Sequence, residues 1–157
     1  MSRTAVAVAV VALITAGVGP VHAQSPNALV GKWSIEYERG RRLENGEATP
    51  IMGTAELTIA QSGDSLVATL VASARPDGSV PPPSTFGGHA KGDDVVFVQN
   101  QTVQINANGE MSTRDITLTW TLRASGDALS GSLARELSMM PDSQQPSPVK
   151  GTRVGHR

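Results

Sequence analysis

Few residues in this sequence could carry catalysis or hold a metal ion, and their spacing suits neither task. The chain has three histidines in 157 residues. His22 stands in an N-terminal apolar segment and His156 next to the C-terminal residue, which leaves His89 isolated. No group of His, Asp and Glu has the spacing of metal ligands, and no stretch fits a nucleophile elbow or a phosphate-binding loop. The sequence therefore predicts no catalytic residue, no metal and no cofactor.

Two pairs of carboxylates and a small basic cluster are the other charged groups whose spacing could matter. The aspartates at 93–94 fall in a predicted turn, where Asp supports the turn itself. Glu36 and Glu38 alternate with apolar residues on the first predicted strand, so both are expected to project from its outer face into water. The arginines at 39, 41 and 42 stand beside Glu38 and are interpreted as part of a solvated loop, with an anion site at the barrel mouth as the alternative.

The N-terminal segment has the features of a secretory signal. Arg3 precedes an apolar run at residues 5–14, and small residues lead to an A-x-A-like end at Ala23. The run is too short to cross a bilayer, which takes about 20 apolar residues. We therefore expect a signal peptide at residues 1–23, export to the periplasm or the extracellular space, and a single mature domain at residues 24–157.

The composition of the chain limits its partners. Thirteen Lys and Arg balance fourteen Asp and Glu, so the formal net charge is −1. That balance argues against a nucleic acid or an anionic membrane as partner. Because the chain has no cysteine, its fold has to be stabilised by its core, which suits an exported bacterial protein better than a secreted eukaryotic one. Nothing in the sequence indicates an oligomeric state.

A Gly-Asp phrase occurs three times, at residues 62–65, 91–94 and 125–128. The first and last copies stand between runs in which apolar and polar residues alternate, as strands with one buried face do. A short link with Gly at positive φ between two such strands is a hairpin signal. We therefore predict that Gly63, Gly92 and Gly126 each adopt positive φ between paired antiparallel strands.

These hairpins and two further strands, at residues 31–39 and 148–154, make about eight antiparallel strands. The predicted fold class is all-β, an eight-stranded antiparallel up-and-down barrel, because closure removes exposed sheet edges. A β-sandwich is the main alternative. An outer-membrane barrel is disfavoured because aromatic residues make up only 3% of the chain, so we expect a protein that does not span the membrane.

The stretch NALVGKW at residues 27–33 places a short turn before a Gly-x-Trp motif on the first strand. This arrangement resembles the calycin superfamily, the lipocalin-like small exported barrels. The resemblance implies a lipocalin- or avidin-like architecture with structural roles for Gly31 and Trp33. It also implies that an arginine near the end of the last strand packs across the Trp at the closed end, and Arg153 occupies that position. The Thr-Asp-Tyr motif of classical lipocalins is absent, so the resemblance implies no particular ligand.

The predicted inward-facing row suggests where a ligand would bind. An eight-stranded barrel is either filled by its own side chains or holds one small molecule, and the sequence leaves both possibilities open. A ligand would lie inside, at the end opposite Trp33, with a polar residue orienting its polar end and two methionines capping the opening. The predicted ligand-binding residues are Tyr37, Arg39, Leu70, Phe86, Phe97, Gln99, Trp120, Met139 and Met140.

The leading functional hypothesis is an exported, non-catalytic barrel that binds a small apolar or amphipathic molecule. The sequence leaves two alternatives open. One is a protein-interaction or inhibitor module of the cell envelope with a packed core. The other is an isomerase- or cyclase-type barrel enzyme, which would need an acid or base with a strongly perturbed pKa inside the barrel.

Overall fold

Eight strands and one short 3₁₀ turn make up the computed structural model, which describes residues 25–107, 109–137 and 145–155. The predicted signal peptide lies outside the described residues. The described part of the chain contains no helix that is long and apolar enough to cross a membrane. The 3₁₀ turn is Pro26–Leu29, and the strands are β1 (Gly31–Glu44), β2 (Glu47–Ser62), β3 (Ser65–Ala72), β4 (Ser84–Lys91), β5 (Asp94–Ala107), β6 (Glu110–Ser125), β7 (Ala128–Leu137) and β8 (Ser147–Arg153).

The strands form a closed antiparallel barrel in chain order, with β8 pairing back onto β1. This confirms the predicted up-and-down barrel. Gly63, Gly92 and Gly126 lie in the tight turns of the β2–β3, β4–β5 and β6–β7 hairpins, with φ of 61°, 63° and 61°. Because L-residues with a side chain rarely adopt this conformation, each Gly-Asp phrase fixes a turn, and each turn fixes the register of a hairpin.

One end of the barrel is closed by the 3₁₀ turn. Trp33 is fully buried and its indole N–H donates to the Leu29 carbonyl at 2.8 Å. The Arg153 guanidinium lies over the indole, 4.2 Å from the ring centroid, and donates to the carbonyls of Val30 at 2.9 Å and Ala28 at 2.7 Å. Arg153 therefore ties the last strand to the turn that precedes the first strand.

The half of the barrel next to this closed end is a packed core. Phe97 and Leu57 have no exposed surface, and Phe86 is 5% exposed. Gly88 is needed here because a Cβ at that position would overlap the Phe97 ring. The packed half therefore offers no room for a ligand. The largest fully buried side chains of the described barrel as a whole are Trp33, Trp120, Phe97, Ile35, Leu57, Ile59, Leu122, Leu133 and Val149.

The other end of the barrel is built from strands of unequal length. β1, β2, β5 and β6 have 14 to 16 residues, whereas β4 has 8 and β8 has 7. In the described part of the chain β8 pairs with β1 over residues 33–36, so β1 continues beyond that ladder. The β1–β2 and β5–β6 hairpins therefore extend past their shorter neighbours and surround an opening.

Candidate functional site

A cavity of about 520 Å³ opens at the end of the barrel opposite Trp33, and we call it the mouth cavity. Sites for small molecules typically measure about 300–1,000 Å³. Its apolar lining includes Leu70, Ile116, Leu118, Trp120 and Leu133, and its polar lining includes Tyr37, Glu38, Arg39, Arg41, Gln99, Gln101, Gln104 and Arg135. An apolar wall with polar groups around it suits a molecule that is itself amphipathic.

Trp120 separates the mouth cavity from the packed half of the barrel. Its ring stacks on Phe86, with centroids 5.9 Å apart and planes 12° apart, and meets Tyr37 at a centroid distance of 5.4 Å. Phe86 in turn meets the edge of Phe97 at 6.1 Å. Gln99 accepts a long hydrogen bond from the indole N–H at 3.4 Å. These contacts hold the Trp120 ring in one orientation, so the cavity has a preformed aromatic wall.

A β-bulge in β1 changes which side chains face the cavity. The register with β2 runs from Glu38 opposite Met52 to Gly40 opposite Ile51, which leaves Arg39 as the extra residue. Alternation stops at this point, and both Tyr37 and Glu38 are buried, at 7% and 4% exposure. The prediction that Glu38 projects into water is therefore wrong, because a bulge redirects side chains that a regular strand would send outward. Glu36 precedes the bulge and is exposed, as expected.

The buried Glu38 carboxylate is held by two arginines. Arg41 donates from Nε to Oε1 at 2.8 Å, and Arg135 of β7 donates from Nη1 to the same oxygen at 3.4 Å. Arg135 also donates from Nη2 to the Glu38 backbone carbonyl. The Arg135 side chain is 13% exposed, and this burial lowers the pKa of its guanidinium, against the opposing effect of Glu38. The pair joins β1 to β7 beyond the point where β8 pairs with β1.

Arg135 is a site residue that the sequence analysis missed, although a signal was present. Leu129, Gly131 and Leu133 form the inward row of β7, and the next position along that row, two residues on, is Arg135. An arginine in an inward position of a strand indicates either a buried ion pair or a ligand contact. Glu38 carried no such signal, because only the bulge brings it inside.

Arg39 lies between the mouth cavity and a smaller adjoining cavity of about 200 Å³. The smaller cavity extends under the loop that precedes β4, where Arg75, Pro81 and Pro82 line it. The Arg39 side chain crosses the inner face of β2 at Gly53, where a Cβ would lie 2.8 Å from Arg39 Cδ. Gly53 therefore provides the space through which Arg39 reaches over the opening.

Besides Arg135, Tyr37 is a described residue of the cavity wall whose pKa is shifted. Burial raises the pKa of its phenol, and the nearby positive charges of Arg39 and Arg135 partly offset that effect. The phenol is therefore neutral at physiological pH. In this form its hydroxyl can donate a hydrogen bond as well as accept one.

The structure brings together five of the nine predicted ligand-binding residues. Tyr37, Arg39, Leu70, Gln99 and Trp120 line the mouth cavity, and their contact with a ligand stays a prediction. Phe86 and Phe97 do not line it but pack behind Trp120, because Gly88 lets the Phe97 ring fill the interior at that level. Met139 and Met140 lie outside the described residues.

Comparisons with known proteins give little further information. No protein-family model matches the chain, and no curated protein matches it. A solved structure of the monomer form of the M. tuberculosis PknI sensor domain is similar, with 17% sequence identity and a TM-score of 0.46. The match covers 81% of this chain and 88% of that one. The function of this barrel has to be inferred from its own residues.

Proposed function

We propose that this chain is an exported, non-catalytic barrel that binds one small apolar or amphipathic molecule in the mouth cavity. The observation that carries the proposal is the cavity itself, about 520 Å³ in volume, with an aromatic and aliphatic wall and a polar opening. Burial of apolar ligand surface against Leu70, Leu118 and Trp120 would drive binding, at about 25 cal/mol for each Å² removed from water.

The state of the carboxylate in the cavity favours binding over catalysis. Glu38 is the one carboxylate among the described residues that line the cavity. The guanidinium groups of Arg41 and Arg135 both donate to it. A general base has to be free to approach the proton that it removes, whereas the two arginines fix the Glu38 carboxylate against the cavity wall. Tyr37 is neutral and Arg135 is committed to Glu38, so these groups suit recognition of a ligand better than proton transfer.

The proposal includes export of the chain and a calycin-like architecture. The N-terminal sequence supports cleavage after Ala23, and N-terminal sequencing of the secreted protein should begin at Gln24. The arrangement of Gly31, Trp33 and Arg153 at the closed end supports the resemblance to calycins. A mature chain that begins at Met1 would contradict the proposed export.

Native mass spectrometry of the exported protein tests the proposed binding. We expect a species heavier than the bare chain that loses a small molecule on collisional activation. Leu118→Trp places an indole ring in the cavity and should abolish that species while the protein stays folded. Its matched control is Val98→Trp, one strand away on the exposed outer wall. A bare wild-type chain that also fails to bind 1-octanol by calorimetry would contradict the proposal.

A further inference from the structure

We infer that the ligand of the mouth cavity carries an anionic head group and that Arg39 is the residue that binds it. This inference rests on the proposed function and names the chemical class of the ligand, an amphipathic oxyanion with a compact apolar body. Its basis is an excess of positive charge around the opening, an arginine there that has no ion-pair partner among the described residues, and an apolar wall below.

The described lining of the two adjoining cavities is strongly cationic. Four arginines line it, against the one carboxylate of Glu38. They are Arg39, Arg41, Arg75 and Arg135. Asp77 interacts with Arg75 from the exposed loop, and the excess remains when this acid is counted. The whole chain has a formal net charge of −1, so the excess is local. A concave, partly apolar site of one sign concentrates ions of the opposite sign.

The ion pairs inside the cavity leave Arg39 available. Glu38 receives hydrogen bonds from Arg41 and Arg135, which fixes those two side chains as part of the wall. No described residue forms an ion pair with Arg39, and its side chain is exposed at the opening. A guanidinium group in this position can offer two parallel N–H donors to a carboxylate or phosphate.

The position of Arg39 matches the geometry of an amphipathic ligand. Its aliphatic stem lies across Gly53, and its charge is close enough to Tyr37 to offset part of the rise that burial causes in the pKa of the phenol. Tyr37 in turn contacts Trp120. A ligand whose apolar body lies against Trp120 would therefore place its head group beside the Tyr37 hydroxyl and the Arg39 guanidinium. Arg39 would then recognise the head group and the wall below would bind the body.

A series of ligands with one body and different head groups tests this inference. Octanoate, octyl phosphate, 1-octanol and octylammonium are titrated into the full exported protein by calorimetry at neutral pH. We expect at least one of the two anions to bind about tenfold more tightly than octanol, which corresponds to about 1.4 kcal/mol, and octylammonium to bind more weakly than octanol. The preference should decrease as salt is added.

Substitution of Arg39 identifies the residue responsible. Arg39→Gln should reduce the preference for the anion to about twofold, and Arg39→Lys should retain part of it. The control is Arg123→Gln, which removes the same charge from the outer wall, where Arg123 pairs with Asp94. Equal binding of octanol and both anions to the wild-type protein, or an unchanged preference in Arg39→Gln, overturns this inference alone. If none of the four compounds binds, the proposed function fails and the inference fails with it.

Discussion

Removal of one partner from the buried Glu38–Arg135 pair should destabilise the barrel far more than removal of both. Arg135→Met takes away the guanidinium that donates to the Glu38 carboxylate and to its backbone carbonyl. Glu38 is 4% exposed, so its charge and its carbonyl would stay largely buried with fewer partners. The substituted methionine is apolar and of similar length, which limits the change in packing.

The magnitude follows from the contacts that remain. Breaking a fully buried pair costs about 3–5 kcal/mol. Arg41 retains its 2.8 Å bond to Glu38 and is partly exposed, so we expect about 2–3 kcal/mol for Arg135→Met. Glu38→Leu leaves the Arg135 charge buried and should cost a similar amount. In the double variant the main loss is the hydrogen bond from Arg135 to the backbone carbonyl of residue 38. We expect this to cost about 1 kcal/mol.

Urea denaturation of the wild-type, both single variants and the double variant gives the coupling energy of the pair. We expect the loss in the free energy of unfolding of the double variant to be smaller than the sum of the two single losses by at least about 2 kcal/mol. Single effects that add to within about 0.5 kcal/mol would show that the two side chains do not interact in solution. That result would refute the interpretation of the bulge as the feature that buries Glu38.

Three further substitutions test other contacts of the barrel. Arg153→Ala should lower the free energy of unfolding by about 2–4 kcal/mol, because it removes the stacking on Trp33 and the donors to the Ala28 and Val30 carbonyls; a loss below about 0.5 kcal/mol would place Arg153 in solvent. Gly88→Ala should cost about 1–3 kcal/mol by overlap with the Phe97 ring, whereas Gly87→Ala, on the outer wall with open space around it, should stay within about 0.5 kcal/mol. Tyr37 is the sole tyrosine, so its ultraviolet absorbance titration reports its pKa directly, and we expect it to titrate at higher pH in the folded than in the urea-unfolded protein. Above about pH 10 the folded state then binds more protons than the unfolded state, so stability should fall more steeply with pH in the wild-type protein than in Tyr37→Phe; parallel curves would contradict the burial of the phenol.

Local signals in the sequence were enough to predict the barrel and its closed end. Gly63, Gly92 and Gly126 mark turns because few other residues adopt their φ, and period-two alternation assigns a face to each side chain near them. The position of Arg153 over Trp33 came from a resemblance between motifs. In each case the information lies in residues that are close in sequence or part of a known pattern.

The charged part of the candidate site could not be predicted in the same way. Glu38 is buried because of a bulge, and one extra residue in a strand leaves no clear mark on a sequence in which Arg39 and Gly40 both tolerate strand or loop conformations. The level at which packing stops and the cavity begins depends on how Phe97 fills the space left by Gly88, which lies on a neighbouring strand. Such complementarity between strands is a property of the folded barrel and not of either segment alone.

Single-tryptophan fluorescence tests ligand binding in the mouth cavity most directly, since the chain has two tryptophans, one at the closed end and one on the wall of the cavity. Trp33→Phe leaves Trp120 on the cavity wall as the reporter, and Trp120→Phe leaves Trp33 at the closed end. Titration with octanoate or 1-octanol should change the emission of Trp120 in a saturable way and leave that of Trp33 unchanged. An equal response from both tryptophans, or a response from Trp33 alone, would contradict binding in the mouth cavity.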